Sequence, residues 1–447
     1  MRRIMQIQLP VNVKNIINKL EEAGFEAFAV GGCVRDCLLG MVPKDWDITT
    51  SAKPEEVKAV FGHTIDTGIK HGTVTVMRSG TGYEITTYRV DGEYEDGRHP
   101  KQVSYTASLT EDLRRRDFTI NAMAYNDKQG LVDCFGGEED LKAGIIRAVG
   151  EPGERFEEDA LRMLRAVRFA ASLDFEIEEK TKEAVKALSG NLSKVSAERI
   201  QAELVKTLTC AHPEKFLLAH ELGLTKVFLP EFDRMMETAQ NNPNHRYTVG
   251  MHTIECLKHI DANKDLRLTM LFHDMGKPKC HTTDEEGIDH FHGHPAVSAA
   301  IADEVLKRLK FDNHTIDKVC RLCRYHDLRI EPNRKAMRRA MANIGEDLFP
   351  DFFAVQHADV LGQSDFHRKE KLEWIEENKR DYEQILRDKE CISLKDLAVS
   401  GKDLIEAGIA PGKEVGEILN RMLNEVIEHP ENNEKSALFE LCLPKMP

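Results

Sequence analysis

The hydrophobic pattern of the chain changes near residue 151, and this change limits the folds that the chain can adopt. Before that point the pattern alternates between helix and strand: a helix ending at Gly24, a strand over 25–32, and two alternating segments over 72–80 and 83–90. After it strand signals are nearly absent, and helical patterns follow one another over 157–173, 178–188 and 196–208. The sequence therefore predicts an α+β protein, in which a small mixed-sheet domain is followed by a long all-α remainder.

Size and charge restrict the classes of function. A chain of 447 residues exceeds a single compact core, so about two to four domains are expected. The formal net charge of −14 has the wrong sign for a nonspecific nucleic-acid coat, so arginines at particular points must meet any polyanion. The ten cysteines are scattered and no apolar stretch approaches bilayer-spanning length. These features predict free thiols and a cytoplasmic protein without a membrane partner.

The segment GGCVRDCLLGMVPKDWDITT, residues 31–50, combines two glycines, an arginine and two aspartates. Glycines let the backbone approach a phosphate, and N–H groups at a helix start favour an anion that Arg35 could clamp. If Asp45 and Asp47 lie on a strand, alternation places both carboxylates on one face, where they could bind Mg²⁺ together with phosphate oxygens. The alternative is a pair of solvated loop acids. Glu84, on a later predicted strand, is either a third metal-binding acid or a solvated strand acid.

A basic triplet directly precedes Asp117 in EDLRRRDFTINAMAYN, residues 111–126. Arg116 could face phosphates, while Asp117 or Asn121 could hydrogen-bond a ribose hydroxyl. The alternative is a charged helix start with Asp117 as the N-cap. Beside a nucleotide site, the segment favours the first interpretation.

The predicted helix EEDALRMLRAVRFA, residues 157–170, carries charged residues at three-residue steps, so that neighbours in the series share one helix side: Asp159, Arg162, Arg165 and Arg168. Adenine and cytosine both present an exocyclic amine beside a ring-nitrogen acceptor. A carboxylate can accept from the amine and a guanidinium can donate to the ring nitrogen, whereas guanine and uracil mismatch both contacts. An Asp–x–x–Arg pair could therefore select ATP and CTP. The alternative is an ion pair on a solvated helix.

Five segments in order resemble the motifs of class II tRNA nucleotidyltransferases, the bacterial CCA-adding enzymes and their poly(A) polymerase relatives: 31–50, 111–124, 133–150, 157–170 and 195–204. The resemblance resumes over 397–433. It implies a nucleotidyltransferase head, a nucleotide-selecting neck, a helical body with a metal domain and a tRNA-binding tail, over 1–147, 148–208, 209–370 and 371–447. It also implies that Asp45 and Asp47 hold Mg²⁺, that Gly32, Arg35 and Arg116 bind the triphosphate, and that Asp159 and Arg162 select the base with support from Arg165 and Arg168. Asp117 and Asn121 of the basic segment complete the predicted nucleotide site.

The implied reaction adds C, C and A to tRNA 3′ ends from CTP and ATP, without a nucleic-acid template. The tRNA is expected to lie across the body and tail, recognised by its shape and backbone. The loop DGEYEDGRHPKQV, residues 91–103, is similar to the flexible loop that family members need for adding the terminal A. A poly(A) polymerase and an A-adding partner enzyme are the alternatives.

A second constellation lies in the middle of the chain, where single His and Asp residues on separate predicted helices accompany an adjacent His-Asp pair: His252, His273, Asp274, His294, His326 and Asp359. Such a set suits a mono- or dinuclear metal site, and Lys277 could help to bind a phosphate. The pattern resembles the HD-domain phosphohydrolases. This resemblance implies a second divalent metal and phosphatase or 2′,3′-cyclic phosphodiesterase activity on nucleotides or RNA ends. The alternatives are a vestigial domain, or a phosphohydrolase whose head only binds RNA.

Overall fold

The computed structural model describes residues 7–69, 72–91 and 103–443. It divides the chain into two compact units, one ending at Pro230 and the other beginning at Glu231. Residues 92–102 of the predicted flexible loop lie outside the described residues. No helix within the described ranges is both long and apolar enough to cross a membrane.

The first unit contains the strands of the chain's main sheet and two short strand pairs: β1 (Ala27–Val30), β2 (Ile48–Thr50), β3 (Thr64–Gly68), β4 (Thr73–Arg78), β5 (Thr81–Thr87), β6 (Arg89–Asp91), β7 (Val103–Tyr105), β8 (Met123–Asn126), β9 (Gly130–Asp133), β10 (Ile145–Ile146) and β11 (Glu176–Ile177). The described strands of the main sheet follow the order β3-β4-β5-β2-β1-β8-β9. Neighbours are antiparallel except β2 and β5, where Ile48 pairs with Ile85 in parallel. The predicted mixed sheet is confirmed.

The helices of the first unit follow the predicted order and become dominant after the sheet: α1 (Val11–Glu22), α2 (Gly32–Leu38), α3 (Pro54–Val60), α4 (Leu109–Arg114), α5 (Gly137–Ala143), α6 (Pro152–Glu158), α7 (Leu161–Leu173), α8 (Glu179–Leu188), α9 (Ala197–Leu208), α10 (Leu217–Glu221) and α11 (Thr225–Phe228). In α1 the buried residues Val13, Ile16, Ile17 and Leu20 recur at helical spacing, which gives the helix one apolar face. Gly24 follows with a φ of +91°, and the chain then enters β1.

The two candidate metal-binding aspartates lie directly before β2, not within it as the sequence pattern suggested. Asp45 and Asp47 belong to an extended segment, and the strand begins at Ile48. The backbone N–H of Val30 nevertheless donates to the carbonyl of Asp47 at 3.0 Å, so the approach to β2 already follows β1. This contact fixes the segment at the end of β1, next to the turn that begins α2.

The second unit is helical apart from one short hairpin, β12 (Thr282–Thr283) and β13 (Asp289–His290); its helices are α12 (Pro230–Glu237), α13 (Val249–Leu257), α14 (Lys264–Phe272), α15 (Lys277–Cys280), α16 (His294–Arg308), α17 (Asn313–Tyr325), α18 (Arg334–Ile344), α19 (Phe349–Gly362), α20 (Arg368–Asp388), α21 (Gly401–Glu406), α22 (Lys413–Glu428) and α23 (Lys435–Cys442). One apolar core joins α17 to α20 around Phe349 and Phe352. A separate core joins α21 to α23. The expected boundary between residues 370 and 371 falls inside α20.

All ten cysteines are free thiols, as predicted.

Candidate active site and metal centre

A glycine turn connects β1 to α2 and leaves room for an arginine. Gly31 has a φ of +79°, and its N–H donates to the carbonyl of Met123 at 3.1 Å. A Cβ added to Gly31 would lie 2.8 Å from Nη1 of Arg116. The turn therefore requires glycine for its backbone conformation and for the space that the Arg116 guanidinium occupies.

We expect Gly31→Ala to destabilise the protein by roughly 1–2 kcal/mol and to raise KM for the nucleotide, because the new methyl group displaces Arg116. Gly40→Ala is the matched control: Gly40 also has a positive φ, +73°, but no atom lies within 4 Å of its added Cβ. Urea unfolding and nucleotide KM should be measured for both variants. Equal KM values for the two variants would contradict a role of Gly31 in seating Arg116.

The carboxylates of the two aspartates before β2 have no bonded partner among the described residues. Asp45 and Asp47 are both exposed, and neither side chain forms a hydrogen bond or an ion pair with another described residue. Loss of hydration raises the pKa of Asp47 above its ordinary value; Arg116 opposes this rise, and the nearby charge of Asp45 adds to it. Glu84 is exposed and precedes Ile85, the partner of Ile48, so its backbone position neighbours that of Asp47. The unbalanced negative charge fits a bound cation.

A buried acid that sequence analysis missed holds the arginines beside this pair. The carboxylate of Asp112 is fully buried and accepts hydrogen bonds from the Thr49 hydroxyl at 3.0 Å and from Nε of Arg115 at 2.9 Å. Arg116 lies 3.7 Å from the same carboxylate. Burial would raise the pKa of Asp112, but Arg115 and Arg116 hold it below its ordinary value. Asp112 therefore fixes both arginines next to β2.

A relay of hydrogen bonds connects α2 to α7. Nη1 of Arg35 donates to Oδ1 of Asn121 at 2.8 Å, and Nδ2 of Asn121 donates to Oδ1 of Asp117 at 3.3 Å. Nε of Arg165 donates to Oδ2 of Asp117 at 2.7 Å. Burial would raise the pKa of Asp117, but the arginines of α7 lower it to about 2. The helix-cap alternative for Asp117 is wrong, because the chain after it forms only a short turn, Thr119–Asn121, whose N-cap position is Phe118.

Asp159 does not lie on the helix that carries Arg162, in contrast to the sequence prediction. Helix α6 ends at Glu158 and α7 begins at Leu161, while Asp159 has extended dihedral angles of −145° and 101°. Nη2 of Arg199 donates to Asp159 at 2.7 Å, and Nη1 of Arg162 donates to Glu158 at 2.6 Å. The two residues therefore do not pair with each other, and Arg162 is buried. The alternative of a solvated ion pair is wrong.

Three arginines surround Phe169, another residue that sequence analysis missed. The guanidiniums of Arg35, Arg165 and Arg168 lie 5.2, 5.5 and 3.9 Å from the centre of its ring. Nε of Arg168 also donates to Glu203 at 2.6 Å. Cation–π contacts and the ion pair together fix the directions of these side chains. The structure thus brings the predicted residues of α2, of the 117–121 segment and of α7 together.

In the second unit the six residues of the His-Asp constellation meet in one cluster: His252, His273, Asp274, His294, His326 and Asp359. Asp274 lies between two groups. Its Oδ2 is 3.5 Å from Nε2 of His252 and 3.3 Å from that of His273. Its Oδ1 is 3.3 Å from Nε2 of His294 and 3.6 Å from that of His326. Oδ1 of Asp359 completes the first group, 2.8 Å from Nε2 of His252.

The outer ring nitrogens of three of these histidines are fixed by local bonds. Nδ1 contacts a main-chain carbonyl three residues earlier at 2.7–2.8 Å in each case: Met270 for His273, Phe291 for His294 and Cys323 for His326. A carbonyl only accepts hydrogen bonds, so Nδ1 must carry the proton. In the neutral form of each ring, Nε2 then has a lone pair that can bind a metal ion, in the arrangement typical of metal-binding histidines.

Two glycines allow the helices of this cluster to approach closely. A Cβ added to Gly276 would lie 2.5 Å from the carbonyl of His294, and one added to Gly362 would lie 2.3 Å from Sγ of Cys256. Nζ of Lys277 lies 2.7 Å from Asp274, so this lysine is already engaged with the central carboxylate. The buried donor set fits two divalent ions with Asp274 between them.

Comparison with known proteins decides the family. The family descriptions that match are "Poly A polymerase head domain" over 27–147, "Probable RNA and SrmB- binding site of polymerase A" over 174–236 and "tRNA nucleotidyltransferase domain 2" over 282–442. A CCA-adding enzyme from Ligilactobacillus salivarius is 37% identical over 428 residues, which cover 95% of this chain and 94% of the relative. The chain belongs to the CCA-adding enzyme family.

Solved structures of CCA-adding enzymes share the architecture. The enzyme from Bacillus stearothermophilus, solved in complex with CTP, has a TM-score of 0.71 and 30% identity, with 98% of each chain covered. The enzyme from Thermotoga maritima has a TM-score of 0.59 at 22% identity, which shows the fold alone. The predicted membership of the tRNA nucleotidyltransferases is confirmed. Members of this family depend on a divalent metal.

Proposed function

We propose that this protein adds C, C and A to the 3′ ends of tRNA, using CTP and ATP. The observation that carries the proposal is the pair of carboxylates of Asp45 and Asp47 near Arg116, which have no bonded partner among the described residues, in a chain that aligns with CCA-adding enzymes over nearly its whole length. The test supplies a tRNA transcript ending at the discriminator base with CTP, ATP, both, or GTP and UTP. Addition of two nucleotides with CTP alone, and of three and no more with CTP and ATP together, would support the proposal. A long ladder from ATP alone would instead indicate a poly(A) polymerase.

The residues of the first unit fit the parts that this reaction needs. Asp45 and Asp47 would hold Mg²⁺, which helps to activate the attacking 3′-hydroxyl and neutralises charge on the leaving pyrophosphate. Arg35 and Arg116 present guanidiniums to the triphosphate next to the glycine turn. Asp117 orients Arg165 and Asn121, and Asn121 orients Arg35. Most of the catalysis then comes from positioning and from charge stabilisation.

Selection of the base is assigned to Asp159 and Arg162. Arg199 holds the carboxylate of Asp159, while Glu158 and the carbonyl of Arg115 hold the guanidinium of Arg162. These bonds fix both groups before the nucleotide arrives. A fixed acceptor and a fixed donor match the shared edge of adenine and cytosine and leave guanine and uracil unpaired.

We expect Arg162→Lys to increase incorporation of GTP and UTP relative to ATP and CTP by about 10- to 100-fold, because lysine cannot keep the planar donor geometry. Single-nucleotide primer extension with each of the four triphosphates measures the ratio. Arg308→Lys, on α16 in the second unit, is the control and should keep the parent ratio. An unchanged ratio in Arg162→Lys would refute the template role.

The four-part division remains part of this proposal, with head, neck, body and tail over 1–147, 148–208, 209–370 and 371–447. Body and tail are proposed to hold the tRNA by shape and backbone contacts, and the protein is proposed to act in the cytoplasm.

A second activity is proposed for the metal centre of the second unit, namely hydrolysis of a phosphate ester. Two divalent ions of unassigned identity would be held by the two groups that share Asp274, and such ions can lower the pKa of a bound water and polarise a phosphoryl oxygen. In the reaction water adds to phosphorus, one P–O ester bond breaks, and the leaving oxygen takes the proton. A 2′,3′-cyclic phosphate would open to a monoester. The observation that carries the proposal is the set of Nε2 atoms directed at Asp274 from both sides.

A further inference from the structure

A cavity of about 440 Å³ begins at the metal centre and extends along α20. Its lining includes two of the candidate metal ligands, His326 and Asp359, and it ends at a wall that includes Phe366 and Trp374. A second cavity, of about 380 Å³, shares both ligands and reaches His294. The metal centre therefore opens onto a space large enough for a ligand well beyond a bare phosphate.

The side of this cavity near the metal ligands carries two cationic side chains, Lys371 and Arg329. Nζ of Lys371 donates to two neutral amide oxygens, Asn244 Oδ1 and Gln363 Oε1, both at 2.8 Å. Neither Lys371 nor Arg329 forms an ion pair with another described residue. Burial, followed by the charges of neighbouring arginines, lowers the pKa of Lys371, although Asp359 opposes this. Two such cations next to a metal centre fit an anionic group of the ligand.

The far side of the cavity is aromatic and accessible. Trp374 and Phe366 keep 43% and 47% of their surface exposed, although both are large apolar side chains. The indole N–H of Trp374 donates to the carbonyl of Ile330 at 2.6 Å, which fixes the ring. With its donor engaged, the indole offers its face to a ligand. Faces of this kind are the surfaces on which nucleobases stack.

Next to this aromatic wall lies a buried amide, Asn378, of which only one polar atom is hydrogen-bonded among the described residues. Asn378 lines the cavity, is 97% buried, and donates from Nδ2 to the carbonyl of Ile330 at 2.9 Å. Its Oδ1 has no hydrogen-bond partner in the part of the chain that the structure describes. A buried acceptor without a donor carries a free-energy cost that a ligand N–H group would remove. The exocyclic amines and ring N–H groups of nucleobases are donors of this type.

We infer that this cavity is the base-binding subsite of the metal centre, and that its ligand is a nucleoside phosphate. The base stacks on Trp374 beside Phe366, and the phosphate lies toward Lys371 and the metal ligands. The inference rests on the proposed phosphate-ester hydrolysis and adds to it the place where the base of the substrate is bound. A free nucleotide and the terminal nucleotide of an RNA share this chemistry.

The test compares three cyclic phosphates that differ in the group attached: adenosine 2′,3′-cyclic phosphate, a short RNA ending in the same group, and glycerol 1,2-cyclic phosphate. The metal-loaded full-length protein is used, as parent, Trp374→Leu and Trp374→Phe. We expect Trp374→Leu to lower kcat/KM about 10-fold for the adenosine compound, the RNA or both. For the glycerol compound, kcat/KM should change less than about twofold. Trp374→Phe should restore most of the loss. The substrate whose kcat/KM falls shows whether the site binds a free nucleotide or the end of an RNA. Equal losses of kcat/KM on the base-bearing and base-free compounds would overturn the subsite.

A binding measurement separates failure of the subsite from failure of the hydrolysis. The chain contains only two tryptophans, so Trp46→Phe leaves Trp374 as the single emitter. Adenosine 5′-monophosphate should quench this emission with saturation, whereas ribose 5-phosphate should not. Quenching without hydrolysis of any cyclic phosphate would reject the phosphohydrolase and retain the base site. Equal responses to both probes would reject the base site, whatever the hydrolysis rates.

Discussion

Replacing Asp45 and Asp47 together by asparagine is expected to lower nucleotide incorporation at least about 10³-fold, because the change removes both carboxylates that hold the metal and leaves the shape of the segment intact. Neither side chain has a hydrogen bond or ion pair to lose among the described residues, so the stability of the fold should change little. Extension of a tRNA transcript at single-nucleotide resolution measures the loss.

The matched control for this variant is Asp66→Asn. Asp66 is an exposed acid of β3 that pairs with Lys58 at 2.9 Å, away from the glycine turn. It should retain the parent rate. If the Asp45 and Asp47 variant still extended the transcript at a rate near that of the control, the proposed metal-dependent transfer at this site would be wrong.

Asp274→Asn is expected to lower phosphate-ester hydrolysis at least about 100-fold while CCA addition continues. The carboxylate contacts both histidine groups, and an amide would supply only one oxygen and no charge to ions on either side. Metal content of the purified protein is a second readout and should fall with the activity. Asp303→Asn, which removes an exposed acid paired with Lys307 on α16, should change neither quantity.

Two results would contradict this interpretation of Asp274. If Asp274→Asn kept the metal content and the hydrolysis rate of the parent protein, Asp274 would not be part of the metal site. A parent protein that binds divalent metal yet hydrolyses no phosphate ester would support the vestigial alternative. CCA addition by the same preparations shows that the protein is folded in each case.

The order of helices and strands was predictable because it depends on local periodicity. Helix α1 buries Val13, Ile16, Ile17 and Leu20 at the spacing visible in the sequence. The ligands of the second unit could be named for a different reason, since adjacent His273 and Asp274 on an apolar segment form a recognisable pattern. Their assembly into one buried cluster depends on tertiary packing that the pattern alone does not describe.

The residues that sequence analysis missed or misplaced have positions that depend on contacts between distant parts of the chain. Asp112 belongs to no motif that the sequence analysis used, yet packing against β2 buries it beside Thr49. Asp159 kept the three-residue spacing of its neighbours, but the chain is extended at that position and the helix begins two residues later. Trp374 and Lys371 lie in a strongly charged helix, and its sequence gives no sign of the cavity that it lines.

The bonds between histidine Nδ1 atoms and carbonyls three residues earlier have a consequence for protein engineering. The ring orientations of His273, His294 and His326 are set by bonds within the turn of chain before each of them, whereas much of the cavity lining belongs to α20. The centre and the wall can therefore be altered independently. A library that varies only the cavity-facing positions of α20, such as Lys371, Trp374 and Asn378, should yield proteins that keep their metal and differ in the molecules they accept.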